Sequence, residues 1–273
     1  MEKSILSNNI AIPKLGFGTY LIKEEREIES SLSWAYKAGY RRIDTASYYK
    51  NEEYIGKAIK NLNIHREQLF ITSKVWNSQQ GYDSTLRAFE ESLLKLKVDY
   101  LDSYLIHWPK PNLNDTWKAL EYLYEQGLVR SIGVCNFTEE YIEKIKRYCN
   151  VIPMINQIEC HPYLQQEALR NYCKSNGIIV EAWGPLMQGK IFDMEEMKIL
   201  SEKYNKSISQ ISLRWLIQSD MLAIPKSTNK RRIFENIDIF NFQISYDDMN
   251  YIKYNLSKDI RVGPKPNYIY NKL

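Results

Sequence analysis

The chain has 273 residues, and its 37 Lys and Arg against 33 Asp and Glu give a formal net charge of +4. Its 44% hydrophobic and 26% charged content is that of an ordinary globular protein, which excludes a disordered chain. The cations are spread along the sequence, so no nucleic-acid surface is indicated. Because no run resembles a signal peptide or a membrane span, we expect a cytoplasmic protein without a membrane partner.

Short β-rich runs alternate with amphipathic helical runs, which is the pattern of parallel strands joined by helical crossovers. Strands are predicted at 15–19, 42–45, 69–74, 101–106, 131–135, 154–157, 178–182 and 222–225. Helices are predicted at 25–38, 51–61, 83–96, 116–126, 138–147, 165–175, 194–204, 209–219 and 231–240. Eight such units predict an α/β fold: a single (β/α)8 TIM barrel over residues 1–273, with a short N-terminal hairpin and a short C-terminal tail.

The cysteines show neither paired spacing nor histidines placed to complete a zinc site, so we expect reduced thiols and no metal. They are Cys135, Cys149, Cys160 and Cys173.

Four polar residues stand at or just after the ends of successive predicted strands. They are Asp44, Tyr49, Lys74 and His107. The carboxyl ends of barrel strands share one face, and that face carries the active site in this architecture, so these residues are expected to converge. Each alone is more often structural, a tyrosine packing in the core for example, but their grouping favours chemistry.

These residue types form a coherent acid. A free tyrosine has a pKa of about 10, so a catalytic tyrosine needs a nearby cation, and Lys74 is expected to make Tyr49 more acidic. A buried ammonium tends to lose its proton, and Asp44 can hold it charged. Neutral His107 can donate a hydrogen bond to a substrate oxygen.

Ordered motifs along nearly the whole chain resemble the aldo-keto reductase superfamily. They are LGFGT at 15–19, IDTASYYKNEEYIGKAI at 43–59, ITSKVW at 71–76, LIHWP at 105–109, IGVCNF at 132–137, NQIECHPYL at 156–164, EAWGPL at 181–186 and IPKSTNKRRIFEN at 224–236. The resemblance implies reduction of a small aldehyde or ketone by a monomer using NADPH, with Asp44, Tyr49, Lys74 and His107 as catalytic tetrad and Tyr49 as general acid. The branch it resembles is the prokaryotic and protist one, with 2,5-diketogluconate reductase and prostaglandin F synthase-like enzymes.

The cofactor site is predicted away from any Rossmann motif, since no G-x-G-x-x-G follows the first strand. Lys226, Ser227 and Arg232 lie close to the start of a helix, a sound arrangement for the 2′-phosphate of NADPH, although a solvated basic cluster is the alternative. The resemblance adds cofactor contacts at Thr19, Asp44, Cys135, Asn136, Gln157, Trp183, Gly184, Leu186, Thr228, Glu235 and Asn236.

Two of these positions depart from the family pattern. Cys135 and Gly184 stand where the family commonly has serine. A thiol is a weaker hydrogen-bonding group than a hydroxyl, and glycine offers no side-chain donor, so both changes are expected to weaken cofactor binding.

The substrate pocket is predicted from residues that follow strands. Tyr20, Trp76 and Trp108 are expected to form an aromatic wall above the nicotinamide, with His107 as the polar contact. One or more of them could instead cap the barrel core.

Two other functions fit parts of the pattern. Lys74 or Lys226 could form a Schiff base with a phosphorylated carbonyl compound in a barrel aldolase or isomerase. Alternatively, the chain could bind the cofactor as a non-enzymatic sensor, as channel-associated members of the superfamily do.

Overall fold

We describe residues 2–110 and 113–266 from a computed structural model of the chain. An antiparallel hairpin comes first, with β1 (Lys3–Ile5) paired to β2 (Ala11–Pro13). Eight parallel strands follow: β3 (Phe17–Gly18), β4 (Arg42–Asp44), β5 (Phe70–Val75), β6 (Ser103–Ile106), β7 (Ile132–Cys135), β8 (Ile155–Glu159), β9 (Ile179–Trp183) and β10 (Leu222–Ala223). All eight lie within about two residues of the predicted strands.

The eight strands form a closed ring. Each strand pairs with the next in chain order from β3 to β10. Leu15, just before β3, forms a parallel bridge with Ala223 of β10, and the Gly16 amide donates to the Ala223 carbonyl at 2.8 Å. The predicted (β/α)8 barrel and its N-terminal hairpin are therefore confirmed.

Helices cover the outside of the barrel. They are α1 (Glu25–Ala38), α2 (Glu52–Asn61), α3 (Tyr82–Leu96), α4 (Leu113–Glu125), α5 (Glu139–Lys146), α6 (Glu167–Ser175), α7 (Glu195–Tyr204), α8 (Ile208–Gln218), α9 (Lys230–Ile237) and α10 (Tyr246–Tyr251). The helix predicted at 231–240 ends at Ile237, because Asp238 leaves the helical conformation with ψ of 62°. In the described part of the chain no helix is long and apolar enough to cross a membrane.

The sequence prediction missed α10 and the π-helical turn Ile252–Leu256 that follows it. The hydroxyl of Ser245 caps α10 by accepting from the Asp248 amide at 3.2 Å. A serine followed three residues later by an acidic residue is a helix-start signal, so this helix was readable from the sequence.

The hairpin seals one end of the barrel. Side chains alternate across a strand, so every second residue faces the barrel interior. At the end of the barrel that the hairpin covers, Leu6 and Ile12 join inward-facing side chains in a separate apolar cluster. Its other buried members are Phe70, Leu105, Met154, Ile155 and Leu222. With that end closed, a ligand reaches the interior only from the opposite, carboxyl end of the strands.

Helices α2 and α3 approach each other closely at Gly56. A Cβ placed there would lie 2.5 Å from the Lys95 carbonyl oxygen, a backbone atom that cannot move alone.

We expect Gly56→Ala to lower the free energy of unfolding by about 1–3 kcal/mol through overpacking, although alanine is the better helix former. Urea unfolding measures this. Lys60→Ala, exposed on the same helix, is the control and should change stability by less than about 0.5 kcal/mol; a Gly56→Ala protein as stable as the parent would show that the helices separate freely.

Candidate active site

Three of the predicted catalytic side chains meet at the open end of the barrel. Asp44 ends β4, Lys74 lies near the end of β5, and Tyr49 ends a 3₁₀ turn, Ser47–Tyr49, that follows β4. The Lys74 Nζ lies 2.6 Å from Asp44 Oδ1 and 3.5 Å from the Tyr49 hydroxyl oxygen, and it also donates to the Thr45 carbonyl at 2.9 Å. The ammonium therefore joins the carboxylate to the phenol.

Lys74 stays charged although it is fully buried. Its side chain is 0% exposed and that of Asp44 is 2% exposed. Burial acts to lower the pKa of Lys74. The Asp44 carboxylate, with a smaller contribution from Tyr49, acts to raise it, and the net pKa of Lys74 lies above its ordinary value. The prediction that Asp44 holds the ammonium charged agrees with this geometry.

Burial and Lys74 act in opposite directions on the proton affinity of Tyr49. The Tyr49 side chain is half-buried. Burial raises the pKa of Tyr49 because a phenolate loses its hydration, and Lys74 offsets only part of that rise. Lys74 thus lowers the pKa of the phenol as expected, but burial raises it by more, so the hydroxyl is protonated at neutral pH, which is the form a proton donor needs.

His107 follows β6 and lies beside the tyrosine. The two ring centroids are 5.6 Å apart at an interplanar angle of 77°, and the histidine is 7% exposed. Burial, with a smaller contribution from the Lys74 charge, holds the pKa of His107 well below its ordinary value. The ring is therefore the neutral imidazole that the sequence analysis expected, able to donate one hydrogen bond.

A chain of hydrogen bonds runs from Asp44 to Trp183. The Gln157 side chain on β8 donates to Asp44 Oδ2 at 2.8 Å, and the Cys135 thiol donates to Gln157 Oε1 at 3.5 Å. Asn136, in the left-handed backbone region with φ of 64°, contacts the Cys135 sulfur and accepts from the Trp183 indole at 2.8 Å. Four residues predicted to surround the nicotinamide thus form one continuous surface next to the catalytic carboxylate.

The C-terminal tail reaches this surface. Glu159, at the end of β8, accepts from the Val262 amide at 2.5 Å and from the Gly263 amide at 3.3 Å. A Cβ at Gly263 would lie only 2.3 Å from the Trp183 ring, so the tail backbone rests directly against the indole. Glu159 and Gly263 were missed by the sequence prediction, and no local pattern marks a contact between positions more than 100 residues apart.

The predicted phosphate site lies at the amino end of α9. Lys226 and Arg232 are exposed, whereas Ser227 is buried and accepts from the Asn229 amide at 3.1 Å. The Asn229 side chain caps the helix by accepting from the Arg232 amide. The first turn contains no acidic residue and three cations at positions 230–232, and a helix N-terminus disfavours positive charge unless an anion is bound.

The remaining predicted cofactor residues line the same side of the barrel mouth. Thr19 is buried and its hydroxyl donates to the Asp44 carbonyl at 2.9 Å, so the structure ties it to the catalytic strand. Asn236 is 3% exposed, and among residues 2–110 and 113–266 its Oδ1 has no hydrogen-bond partner. Gly184 has φ of 62°, a conformation that strains any serine. Leu186, Thr228 and Glu235 are half-buried.

Aromatic rings surround the mouth above His107. Tyr20 lies with its ring centroid 4.9 Å from that of Tyr49, and Trp76 lies 5.0 Å from His107. Tyr48, which the sequence analysis did not select, stacks on Trp76 at 3.8 Å and is 47% exposed. Trp108 is 7% exposed, and in the described ranges no ring contact joins it to this group, so its predicted place in the substrate wall is not supported by a contact.

Comparison with known proteins identifies the family to which this barrel belongs. The Aldo/keto reductase family model matches residues 14–255. Glyoxal reductase of Bacillus subtilis is 51% identical over 262 residues, covering 96% of this chain and 95% of that protein. Methylglyoxal reductase DkgA of Escherichia coli is 40% identical over 266 residues, covering 96% and 95% respectively.

Solved structures show the same relationship. A Bombyx mori aldo-keto reductase, solved in complex with NADP, superposes with a TM-score of 0.91 at 36% identity, covering 98% of this chain and 97% of that one. The chain therefore belongs to the aldo/keto reductase family and is an oxidoreductase, as the motifs indicated.

The two pKa directions predict a pH profile. If Tyr49 donates a proton and His107 a hydrogen bond to a carbonyl substrate, activity needs protonated Tyr49 and neutral His107. Because the pKa of His107 is lowered and that of Tyr49 is raised, kcat/KM should stay constant from below about pH 6.5 to above about pH 10, the ordinary values for the two groups. Activity should fall as the pH rises through the Tyr49 value, and on the acid side only well below pH 6.5, where His107 becomes protonated. Initial rates across pH with one aldehyde measure this, and an acidic limb near about pH 6.5 would mean that His107 titrates normally.

Proposed function

We propose that this protein reduces small aldehydes or ketones to alcohols with NADPH, using Tyr49 as the proton donor. The observation that carries the proposal is the contact of one buried ammonium, Lys74, with both Asp44 and Tyr49, at 2.6 and 3.5 Å. A phenol with a cation at its oxygen can lose a proton as negative charge develops on it. Family membership and the open barrel mouth support the same chemistry.

NADPH fits the residues present. The unpartnered Asn236 Oδ1 is a buried acceptor suited to an adenine amino group, and an orphaned buried acceptor is costly unless a ligand satisfies it. The cationic first turn of α9, with Lys226 beside it, suits the 2′-phosphate. Asn136 and Gln157 would hold the nicotinamide carboxamide, and Trp183 would cover the ring. When bound, NADPH supplies the hydride.

Protein residues orient the carbonyl group, supply the proton and stabilise the resulting charge. His107 donates a hydrogen bond to the carbonyl oxygen and fixes its direction. Tyr49 transfers its proton to that oxygen as hydride reaches the carbonyl carbon. Lys74 stabilises the negative charge left on the Tyr49 oxygen, and Asp44 keeps Lys74 charged. Their burial excludes water, which strengthens each of these electrostatic interactions.

Small dicarbonyl compounds are the substrate class that we favour. The stack of Tyr48 on Trp76 lies directly beside His107, so aromatic surfaces adjoin the place proposed for the carbonyl group. The relatives named as glyoxal and methylglyoxal reductases support this choice. We also propose that the protein acts as a cytoplasmic monomer.

The Schiff-base alternative does not fit Lys74. An amine must lose its proton to attack a carbonyl, whereas the Asp44 carboxylate raises the pKa of Lys74. The side chain is also fully buried and directed to the carboxylate and the phenol. A hydride-transfer enzyme uses this charged ammonium, and an aldolase would not.

Tyr49→Phe tests the proton donor. Removing the hydroxyl removes general acid catalysis, so kcat for an aldehyde should fall by about 100- to 10,000-fold while NADPH binding, measured by fluorescence titration, is preserved. Tyr40→Phe is the matched control, since Tyr40 is equally aromatic but buried on the helix side of the barrel, and its kcat should be unchanged. A Tyr49→Phe enzyme that reduces the aldehyde at the parent rate refutes the assignment.

Arg232→Ala tests the phosphate site. Losing a charge-assisted hydrogen bond to the 2′-phosphate should raise KM for NADPH by about 10- to 100-fold, with little change in kcat. KM for NADH, which lacks that phosphate, should be unaffected in the same variant. Lys118→Ala, an exposed cation on α4, is the control for net charge. An equal loss for both cofactors would mean that Arg232 does not contact the phosphate.

A further inference from the structure

A second ion pair is buried inside the barrel beneath the catalytic residues. An Arg42 guanidinium nitrogen lies 3.3 Å from a Glu181 carboxylate oxygen, and the two side chains are 0% and 1% exposed. Arg42 also donates to the Ala223 carbonyl at 3.1 Å. Gly16 leaves room for it, because a Cβ there would lie 2.5 Å from Arg42 Nε.

The strand geometry places this pair one layer below the active site. Arg42 and Asp44 are two residues apart on β4, so both side chains face the interior, Arg42 the deeper. Glu181 and Trp183 have the same relation on β9. Gln157 is the register partner of Glu181 on β8, and its amide donates to Asp44 at 2.8 Å, so one residue connects the two layers.

A gain in folding stability does not by itself explain the Arg42–Glu181 ion pair. Two buried Arg42 nitrogens have no hydrogen-bond partner in the described structure, and the buried Glu181 carboxylate is poorly hydrogen-bonded, with the Gln157 side chain as its partner. Removing two charges from water costs several kcal/mol per ion, and incomplete hydrogen bonding offsets only a small part of that desolvation free energy. Apolar side chains would fill the same space at a lower cost in free energy. The two charges therefore matter for their effect on the neighbouring Asp44 and Lys74.

We propose that Arg42 and Glu181 are positioning residues that balance the charge around Asp44 and Lys74 and thereby set the proton affinity of Tyr49. This inference rests on the proposed function, in which Tyr49 is the proton donor. With the pair intact, the charges of Arg42 and Lys74 balance those of Glu181 and Asp44. Loss of one member leaves a net charge in a dry layer that interacts with Asp44 and Lys74, the two groups next to the phenol.

The electrostatics of the cluster agree with this assignment. Burial raises the pKa of Glu181, and the charges of Arg42 and Lys74 oppose the rise while Asp44 adds to it. A guanidinium keeps its proton even when buried, so Arg42 remains a fixed cation. The titratable groups facing the phenol are Lys74, Asp44 and Cys135, with His107 beside it, and burial raises the pKa of the Cys135 thiol so that it stays neutral.

Glu181→Gln is the decisive variant, since it removes one charge and keeps the side-chain shape. A unit charge removed within about 10 Å shifts a pKa by on the order of 1 unit at an effective dielectric of about 20. We therefore expect the Tyr49 pKa to fall by about 1 unit, because Arg42 is left uncompensated. A fluorinated tyrosine at position 49, which titrates at lower pH, reports this directly by fluorine NMR without turnover.

Two further variants separate charge from packing. Arg42→Gln with Glu181→Gln restores neutrality and should return the pKa to that of the parent, whereas Arg42→Gln alone should raise it. Glu121→Gln is the matched control: Glu121 is also buried, but it accepts from the Asn150 and Val151 amides on the outside of the barrel. It should leave the Tyr49 pKa unchanged even if stability falls.

The results distinguish this inference from the function on which it rests. A Tyr49 pKa that is unmoved in Glu181→Gln, or moved equally in the neutral double variant, overturns the inference while leaving the loss of activity in Tyr49→Phe intact. Because the double variant keeps no buried unpaired charge, it provides the comparison even if Arg42→Gln does not fold. Full activity in Tyr49→Phe would overturn the proposed function, whatever the fluorine titration shows.

Discussion

The contact between the Lys74 ammonium and the Asp44 carboxylate is the interaction on which the rest of the site depends. Burial alone would drive the amine toward its neutral form, and a neutral amine would give Tyr49 no help. The carboxylate reverses that direction at a distance of 2.6 Å. Gln157 in turn orients the carboxylate through its second oxygen, so the cofactor surface and the acid share one residue. Proton transfer and cofactor contact are therefore built on the same few hydrogen bonds.

The barrel explains how such distant residues come together. Parallel strands in ring order bring their carboxyl ends to one face, so Asp44, Lys74 and His107 meet although more than 60 residues separate the first from the last. The hairpin cluster closes the opposite end with apolar side chains. Between these ends, the Arg42–Glu181 pair occupies a middle layer, so polarity increases from the sealed floor to the open mouth.

The strands and their order were predictable because each strand is a short apolar run, and the ends of these runs pointed to Asp44, Lys74 and His107 as neighbours in space. Contacts set by tertiary structure were not predictable from the sequence. Glu159 holds Gly263 against Trp183 across more than 100 residues, and Tyr48 stacks on Trp76 from a different strand end. The net pKa direction of Tyr49 also escaped prediction, because a sequence names a neighbouring charge but does not give the depth of burial that opposes it.

That direction bears on how Tyr49 would act as the proposed acid. A phenol whose pKa lay below neutral pH would be ionised and would have no proton to donate. Burial keeps Tyr49 protonated, while Lys74 contributes most when negative charge develops on the phenol oxygen during transfer. An interaction that strengthens toward the transition state lowers the barrier, whereas one equally strong in the ground state does not. The dry surroundings and the ammonium thus act at different stages, the first holding the proton and the second easing its departure.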